Sequence, residues 1–199
     1  MPLNKNYWEE RYQKNETGWD VGEISTPLKE YIDQLTDKST KILIPGAGNS
    51  YELEYLLNQG FINVFVLDFA QSPLDNIQKR IPTFPKEHLI CANFFEHHDT
   101  YDLTLEQTFF CALDPSLRKD YVQKMQSLLK PNGKIAGLLF QFPLTDVGPP
   151  FGGSKEEYVA LFEKDFTIKT LETAINSIKP RLEKELFFIF TKKYRYDCQ

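Results

Sequence analysis

Cysteine is scarce in this chain. The 199 residues hold three, Cys91, Cys111 and Cys198, odd in number, widely spaced and not in C-x-x-C pairs. That excludes a disulfide framework and a zinc knuckle, so no metal is expected and a reducing, cytoplasmic compartment is. Positive charge is also short: 23 basic residues face 28 acidic ones, for a net charge of -5. A nucleic-acid partner calls for a basic patch, and none is expected here. No apolar run reaches the roughly 18 residues of a membrane helix, and the opening MPLNKNYWEERYQ has no apolar signal-peptide core. No membrane partner is expected. Internal repeats and low-complexity segments are absent.

What is there fits one globular domain. The chain is 41% hydrophobic and 26% charged, and its length allows a core without disulfides or metal. The order of elements is the main signal. NKNYWEERYQKN reads as a short amphipathic helix with Trp8 and Tyr12 on one face. TPLKEYIDQLT reads as a second helix with Pro27 in its first turn. Then apolar strands KILIPG, NVFVLDF, HLICANFF, one within YDLTLEQTFFCA, and KIAGLLFQF alternate with helices SYELEYLLNQG, SPLDNIQKRI and PSLRKDYVQKMQSLLKPNG. Asn49 and Glu52 have capping-box spacing. Ser72 is read as an N-cap with Pro73 at the first helical position. The helix before the fifth strand is expected to stop at Pro131 and Gly133.

Apolar strands alternating with helices imply an α/β fold with a parallel sheet covered on both faces. The tail departs from this. DFTIKTLE and EKELFFIFTKKY read as an antiparallel strand pair joined by a turn-rich stretch. The expected whole is a Rossmann-like, seven-stranded, mostly parallel sheet closed by that pair. Its parts are a helical lid over residues 1–38, a ligand-binding core over 39–140, and an acceptor loop with the terminal strands over 141–199.

Gly46 and Gly48 follow a strand and open a helix, the setting that gives G-x-G a meaning. Asp68 ends the second strand, 22 residues after Gly46, where a carboxylate can accept ribose hydroxyls. A dinucleotide or S-adenosylmethionine fits that pair. The third glycine of the dinucleotide fingerprint is missing, Tyr51 standing there. The loop itself supplies no Lys or Arg, and Glu52 and Glu54 follow early in the helix. Those acids oppose a pyrophosphate at the helix N-terminus and tolerate a ligand with an ammonium and a sulfonium. Asn93 and the Phe94 amide, just past the third strand, are candidates for the adenine edge.

Several motifs in order are similar to one family: YWEERYQKNETGWDVGEISTPL, IPGAGNSYELEYL, VLDFAQSPLD, FFCALDPSLRKDYVQKMQSLLKPNGKIAGLLF and TDVGPPFGGSKEEY. They resemble the thiopurine methyltransferase superfamily, in particular its thiol and halide methyltransferase branch, from about Trp8 to Lys193. The resemblance implies a class I methyltransferase fold, S-adenosylmethionine as donor (leaving S-adenosylhomocysteine) and a small nucleophile as acceptor. It puts the donor site on Trp8, Tyr12, Trp19, Gly46, Asp68, Asn93, Phe94 and Gln107, with Gly48 in the same loop. Tyr12 stands where halide-methylating relatives carry tryptophan, Gln107 where they carry tyrosine, Asn93 where aspartate is usual, and Ala47 where many carry cysteine.

Methyl transfer from a sulfonium is an in-line displacement, so positioning carries much of it, and a dry pocket favours an anionic nucleophile. Aromatic lid residues suit both needs, because their faces attract a sulfonium. A thiol, a thiopurine-like thiol, hydrosulfide or a halide is the expected acceptor, with no obligatory protein nucleophile. Phe142 and Asp146, in the Pro- and Gly-rich loop after the fifth strand, are candidate acceptor-pocket residues. An oxygen or nitrogen acceptor, a non-catalytic adenosyl-ligand binder and a nicotinamide-dependent oxidoreductase remain as alternatives.

Overall fold

The computed structural model describes residues 3–194, so Cys198 lies outside the described residues. Strands β1 (Ile42–Pro45) and β2 (Val64–Asp68) carry almost entirely buried apolar side chains, as parallel strands covered on both faces require. β3 (Leu89–Cys91), β4 (Tyr101–Gln107), β5 (Leu129–Phe140), β6 (Phe166–Thr173) and β7 (Glu185–Lys192) complete one seven-stranded sheet, ordered β3-β2-β1-β4-β5-β7-β6. The first five strands are parallel. β7 runs antiparallel to both neighbours and inserts between β5 and β6. The mixed, mostly parallel sheet expected from the sequence is therefore present.

Helices cover both faces. α2 (Thr26–Asp33), α3 (Tyr51–Asn58) and α4 (Gln71–Arg80) bury Leu28, Ile32, Leu53, Leu56, Leu74 and Ile77 against one face. α5 (Arg118–Leu128) and α6 (Lys155–Phe162) bury Tyr121, Met125, Leu128 and Phe162 against the other. α1 (Lys5–Gln13) has no fully buried residue and lies against α4. From β1 the chain builds outward through β2 to β3, then returns to add β4 on the other side. The strand order reverses between β1 and β4, and the crevice at that reversal is where such folds bind ligands.

Three local expectations fail for identifiable reasons. α5 ends at Leu128, before Pro131 and Gly133, because Leu129 already pairs with Tyr101 in the sheet. Pro131 also disfavours helical backbone at Lys130. The Asn49–Glu52 capping box does not form: Ser50 precedes the helix, and the Asn49 amide donates to Asp20. Ser72 is not an N-cap either, since α4 starts one residue earlier at Gln71. The free Gln71 and Ser72 amides donate instead to the Glu9 carboxylate of α1, at 2.9 and 3.2 Å. Gly60 does end α3 as expected, at φ +88°.

Candidate active site

The crevice at the ends of β1, β2 and β4 opens into a cavity of about 850 Å³. Its floor is the loop after β1. Gly46 and Gly48 sit at φ +56° and +54°, a region that favours residues without a Cβ. The reason for each is the protein's own aromatic cover. A Cβ at Gly46 would overlap the Phe109 ring, and one at Gly48 would come within 2.9 Å of the Tyr12 hydroxyl. The loop is thus shaped to lie tight under two rings.

Asp68 closes one side. It is 7% exposed and accepts from the Ala70 amide (2.9 Å) and the Gly48 amide (3.2 Å). Burial pushes its carboxyl up to about 6, while those amides pull the other way. The strand-end acid and the glycine loop are therefore hydrogen-bonded to one another. Asn93, also on the wall, caps the 3-10 turn that follows β3: its Oδ1 accepts from the Phe95 amide at 3.1 Å and its Nδ2 donates to Glu96. That turn buries Phe94 against Phe109 and Tyr121, with ring centroids 5.1 and 5.5 Å apart. Gln107, at the end of β4, accepts from the Ser25 hydroxyl at 2.6 Å.

The roof is aromatic. Trp8 and Tyr12 both pack edge-on against Trp19, at 5.3 and 5.8 Å between centroids. Burial, and then the charge of Asp68, raise the Tyr12 phenol, so it stays neutral. Two contacts fix this roof. Glu9 ties α1 to α4, its carboxylate also accepting from the Ser72 hydroxyl. Arg181, itself on the cavity wall, donates to the Trp19 carbonyl at 2.7 Å.

All nine donor-site positions named from the sequence lie on this one cavity. Phe142 and Asp146 do not line it. Phe142 pairs as a β-bridge with Gly153 and rests its ring on Phe140, and Asp146 is exposed. The same segment contributes Phe140, Pro149 and Pro150 to the wall instead. Cys111 is buried beside them, its thiol pushed up by burial and donating to the Thr108 carbonyl. None of the three histidines lines the cavity.

Sequence reasoning missed Glu9, Arg181 and Glu106. Glu106 is fully buried under the loop after β4 and accepts from the Phe109 and Phe110 amides (2.9 Å each) and the Tyr121 hydroxyl (2.6 Å). It sets the turn that puts Phe109 over Gly46. Its one signal was an acid near the end of a strand expected to be covered on both faces.

The arrangement can hold an adenosyl group between Asp68 and the Asn93 turn, and keep water from an electrophile beneath Trp8, Tyr12 and Trp19. It offers no histidine base.

Known proteins resemble this chain along most of its length. It is 28% identical over 156 residues to the probable thiol methyltransferase 2 of Arabidopsis thaliana, covering 76% of this chain and 69% of that protein. Thiocyanate methyltransferase 1 of Brassica oleracea is 26% identical, over 89% of this chain and 81% of its own. Thiopurine S-methyltransferase of Nitrosospira multiformis is 26% identical, over 85% and 86%. Among solved structures, the 1,6-didemethyltoxoflavin-N1-methyltransferase of Burkholderia thailandensis, with S-adenosylhomocysteine bound, superimposes with a TM-score of 0.77 at 17% identity. It covers 96% of this chain and 88% of that one. A TehB-like methyltransferase of Corynebacterium glutamicum gives 0.65 at 16%, over 97% and 100%. These two establish the fold. The pattern of the family described as thiopurine S-methyltransferase matches residues 3–196. The chain belongs to the thiopurine S-methyltransferase family of S-adenosylmethionine-dependent methyltransferases.

Proposed function

We propose that this enzyme transfers the methyl group of S-adenosylmethionine to a small soft nucleophile: a thiol, a thiopurine-like thiol, hydrosulfide or a halide. The observation that carries the proposal is a single cavity with a strand-end carboxylate at one side, an aromatic roof, and a wall of Phe140, Cys111, Pro149 and Pro150 that holds no histidine. In this reading Asp68 accepts the ribose hydroxyls. Asn93 and the Phe94 amide meet the adenine, the Gly46–Gly48 loop passes under the amino-acid arm, and Gln107 completes the donor site. Trp8, Tyr12 and Trp19 face the sulfonium, each ring worth about 0.5–2 kcal/mol.

The donor supplies an activated methyl group; the chain supplies position and dryness. A thiolate, hydrosulfide or halide arrives already anionic and needs no proton removed. Its attack on the methyl carbon forms the new bond to carbon as the carbon–sulfur bond breaks, leaving a neutral thioether and neutralising both charges, so excluding water beneath the roof favours the displacement. The names of the relatives, thiol, thiocyanate and thiopurine methyltransferases, support the acceptor class. The division into a lid (1–38), a donor-binding core (39–140) and an acceptor segment (141–199) belongs to the same proposal. So does a cytoplasmic location, supported by the free Cys91 and Cys111, and the absence of a nucleic-acid partner, supported by the net charge of -5.

Calorimetric titration with S-adenosylhomocysteine and with NAD comes first. Binding of the former alone is expected, and binding of NAD alone would end the proposal. Methyl transfer is then measured with iodide, thiocyanate, hydrosulfide, small thiols and thiopurines. Turnover confined to oxygen or nitrogen acceptors would overturn the acceptor class. Binding with no turnover on any acceptor would make the protein a sensor of the ligand.

A further inference from the structure

The cavity wall carries a buried acid with no ion-pair partner among the described residues. Glu52, second residue of α3, is 8% exposed and lies on the wall. Among the described residues its carboxylate forms no ion pair and accepts only from its own backbone N–H. Of the charges nearest to it, only Arg80 favours the charged form, and burial outweighs it. Asp20 is of like sign, and Arg80 is committed to Glu54 (3.0 Å) and to the Asn49 and Ser50 carbonyls. Burying a carboxylate without a counter-charge is costly. A second group on the wall points the same way. The Ser50 hydroxyl is buried, with the residue 3% exposed, and has no hydrogen-bond partner. Ser50 is held there by a left-handed backbone, φ +46°.

We propose that the Glu52 carboxylate, with the Ser50 hydroxyl as a second acceptor on the same wall, receives the α-ammonium group of the cofactor's amino-acid arm. This rests on the cofactor reading above. Two acceptors without donors call for a ligand group with several N–H bonds, and an ammonium has three. A sulfonium has none, so it does not satisfy them, and a carboxylate or phosphate is repelled. The position agrees. Glu52 and Ser50 follow the glycine loop on the β1 side, whereas Asp68 ends the neighbouring strand, so the two carboxylates serve separate parts of one ligand.

A simpler role for Glu52 is to stabilise the N-terminal turn of α3 through the helix dipole. The experiment separates the two. Full-length wild type and Glu52→Gln are titrated with S-adenosylhomocysteine and with 5′-methylthioadenosine, which keeps the adenosine and sulfur but lacks the amino-acid arm. The substitution is expected to weaken the first by about 10- to 100-fold, the range for a lost charged hydrogen bond, and the second by less than about threefold. Equal losses, or none, would overturn the assignment while leaving the cofactor reading intact. Should the wild type bind neither ligand, both fall. A second arm needs no substitution. The wild type is titrated with S-adenosylhomocysteine and with its deaminated analogue, in which hydrogen replaces the ammonium. Loss of affinity supports the assignment, and equal affinity overturns it.

Discussion

Asp68 and Glu106 are buried carboxylates near the ends of β2 and β4, the parallel strands that flank β1, and they do different work. Asp68 lies on the cavity wall; Glu106 lies beneath it, satisfied by two amides and a phenol. Asp68→Ala is therefore expected to weaken S-adenosylhomocysteine binding by about 1–3 kcal/mol, the scale for a lost buried partner. Calorimetry reads this directly, and unchanged affinity would remove Asp68 from the site. Glu106→Gln keeps the shape but can accept through only one oxygen, leaving a buried donor unpaired. It is expected to cost about 1–3 kcal/mol of stability in denaturant unfolding and to loosen Phe109 over Gly46. Asp68 was legible in the sequence because its distance from Gly46 is a spacing rule. Glu106 was not, because its partners are set by a turn that no spacing rule describes. Phe142 and Asp146 were misplaced for a related reason: a Pro- and Gly-rich loop reveals that the chain turns, not which side chain turns inward.

The order of strands and helices was legible because each rests on local periodicity. The ends of the helices were less so. Ser72 looks like the cap of α4, yet the cap is the Glu9 carboxylate, 62 and 63 residues away from the amides it accepts. Local rules cannot see such a partner. The contact matters because α1 buries no residue fully and is otherwise held mainly by Trp8 and Tyr12 packing on Trp19. Glu9→Ala is expected to release the lid and remove hydrogen bonds worth about 1.5–3 kcal/mol, as bonds to a charged acceptor are. Hydrogen exchange should rise in α1 and at the start of α4, and the KM for the methyl donor should rise more than kcat falls. An unchanged exchange rate in α1 would show that the aromatic contacts alone hold the lid.

Across the whole molecule, buried carboxylates make the ligand-free protein sensitive to pH near neutrality. Burial pushes Glu52 and Glu106 up to about 7 and Asp68 up to about 6, from ordinary values of 4.5 and 3.8. Between those limits the folded chain holds protons that the unfolded chain has released. Stability therefore falls as pH rises from about 4 to about 7 and levels off above. Buried Glu185 adds with the same sign. His97, lowered by burial, runs the other way, but it is a single group and its contribution fades above the ordinary histidine value of 6.5. Acids held low by partners, such as exposed Asp33 and half-buried Asp99 and Asp102, have made theirs by about pH 5. From pH 6.5 to 7.5 the two carboxyls near 7 outweigh what remains of one histidine's opposite contribution, and calorimetric Tm without ligand should fall. A rise would contradict their burial as free acids.

Ligand reverses this dependence at Glu52. The groups that face it are Asp20 from the lid loop and Arg80 from α4; the Tyr12 and Tyr51 phenols are raised and stay neutral. An ammonium would add the missing positive charge and draw the carboxyl down, so binding at low pH must first expel a proton. With Glu52 near 7, affinity for S-adenosylhomocysteine should rise about tenfold from pH 6 to pH 8. Asp68, near 6, adds about a further twofold. Titrations in two buffers of different ionisation enthalpy should show proton release at pH 6 and little at pH 8. Glu52→Gln should keep the smaller increment and lose the larger. An affinity that stays flat across this range in the wild type would mean that Glu52 does not meet the ligand's cation.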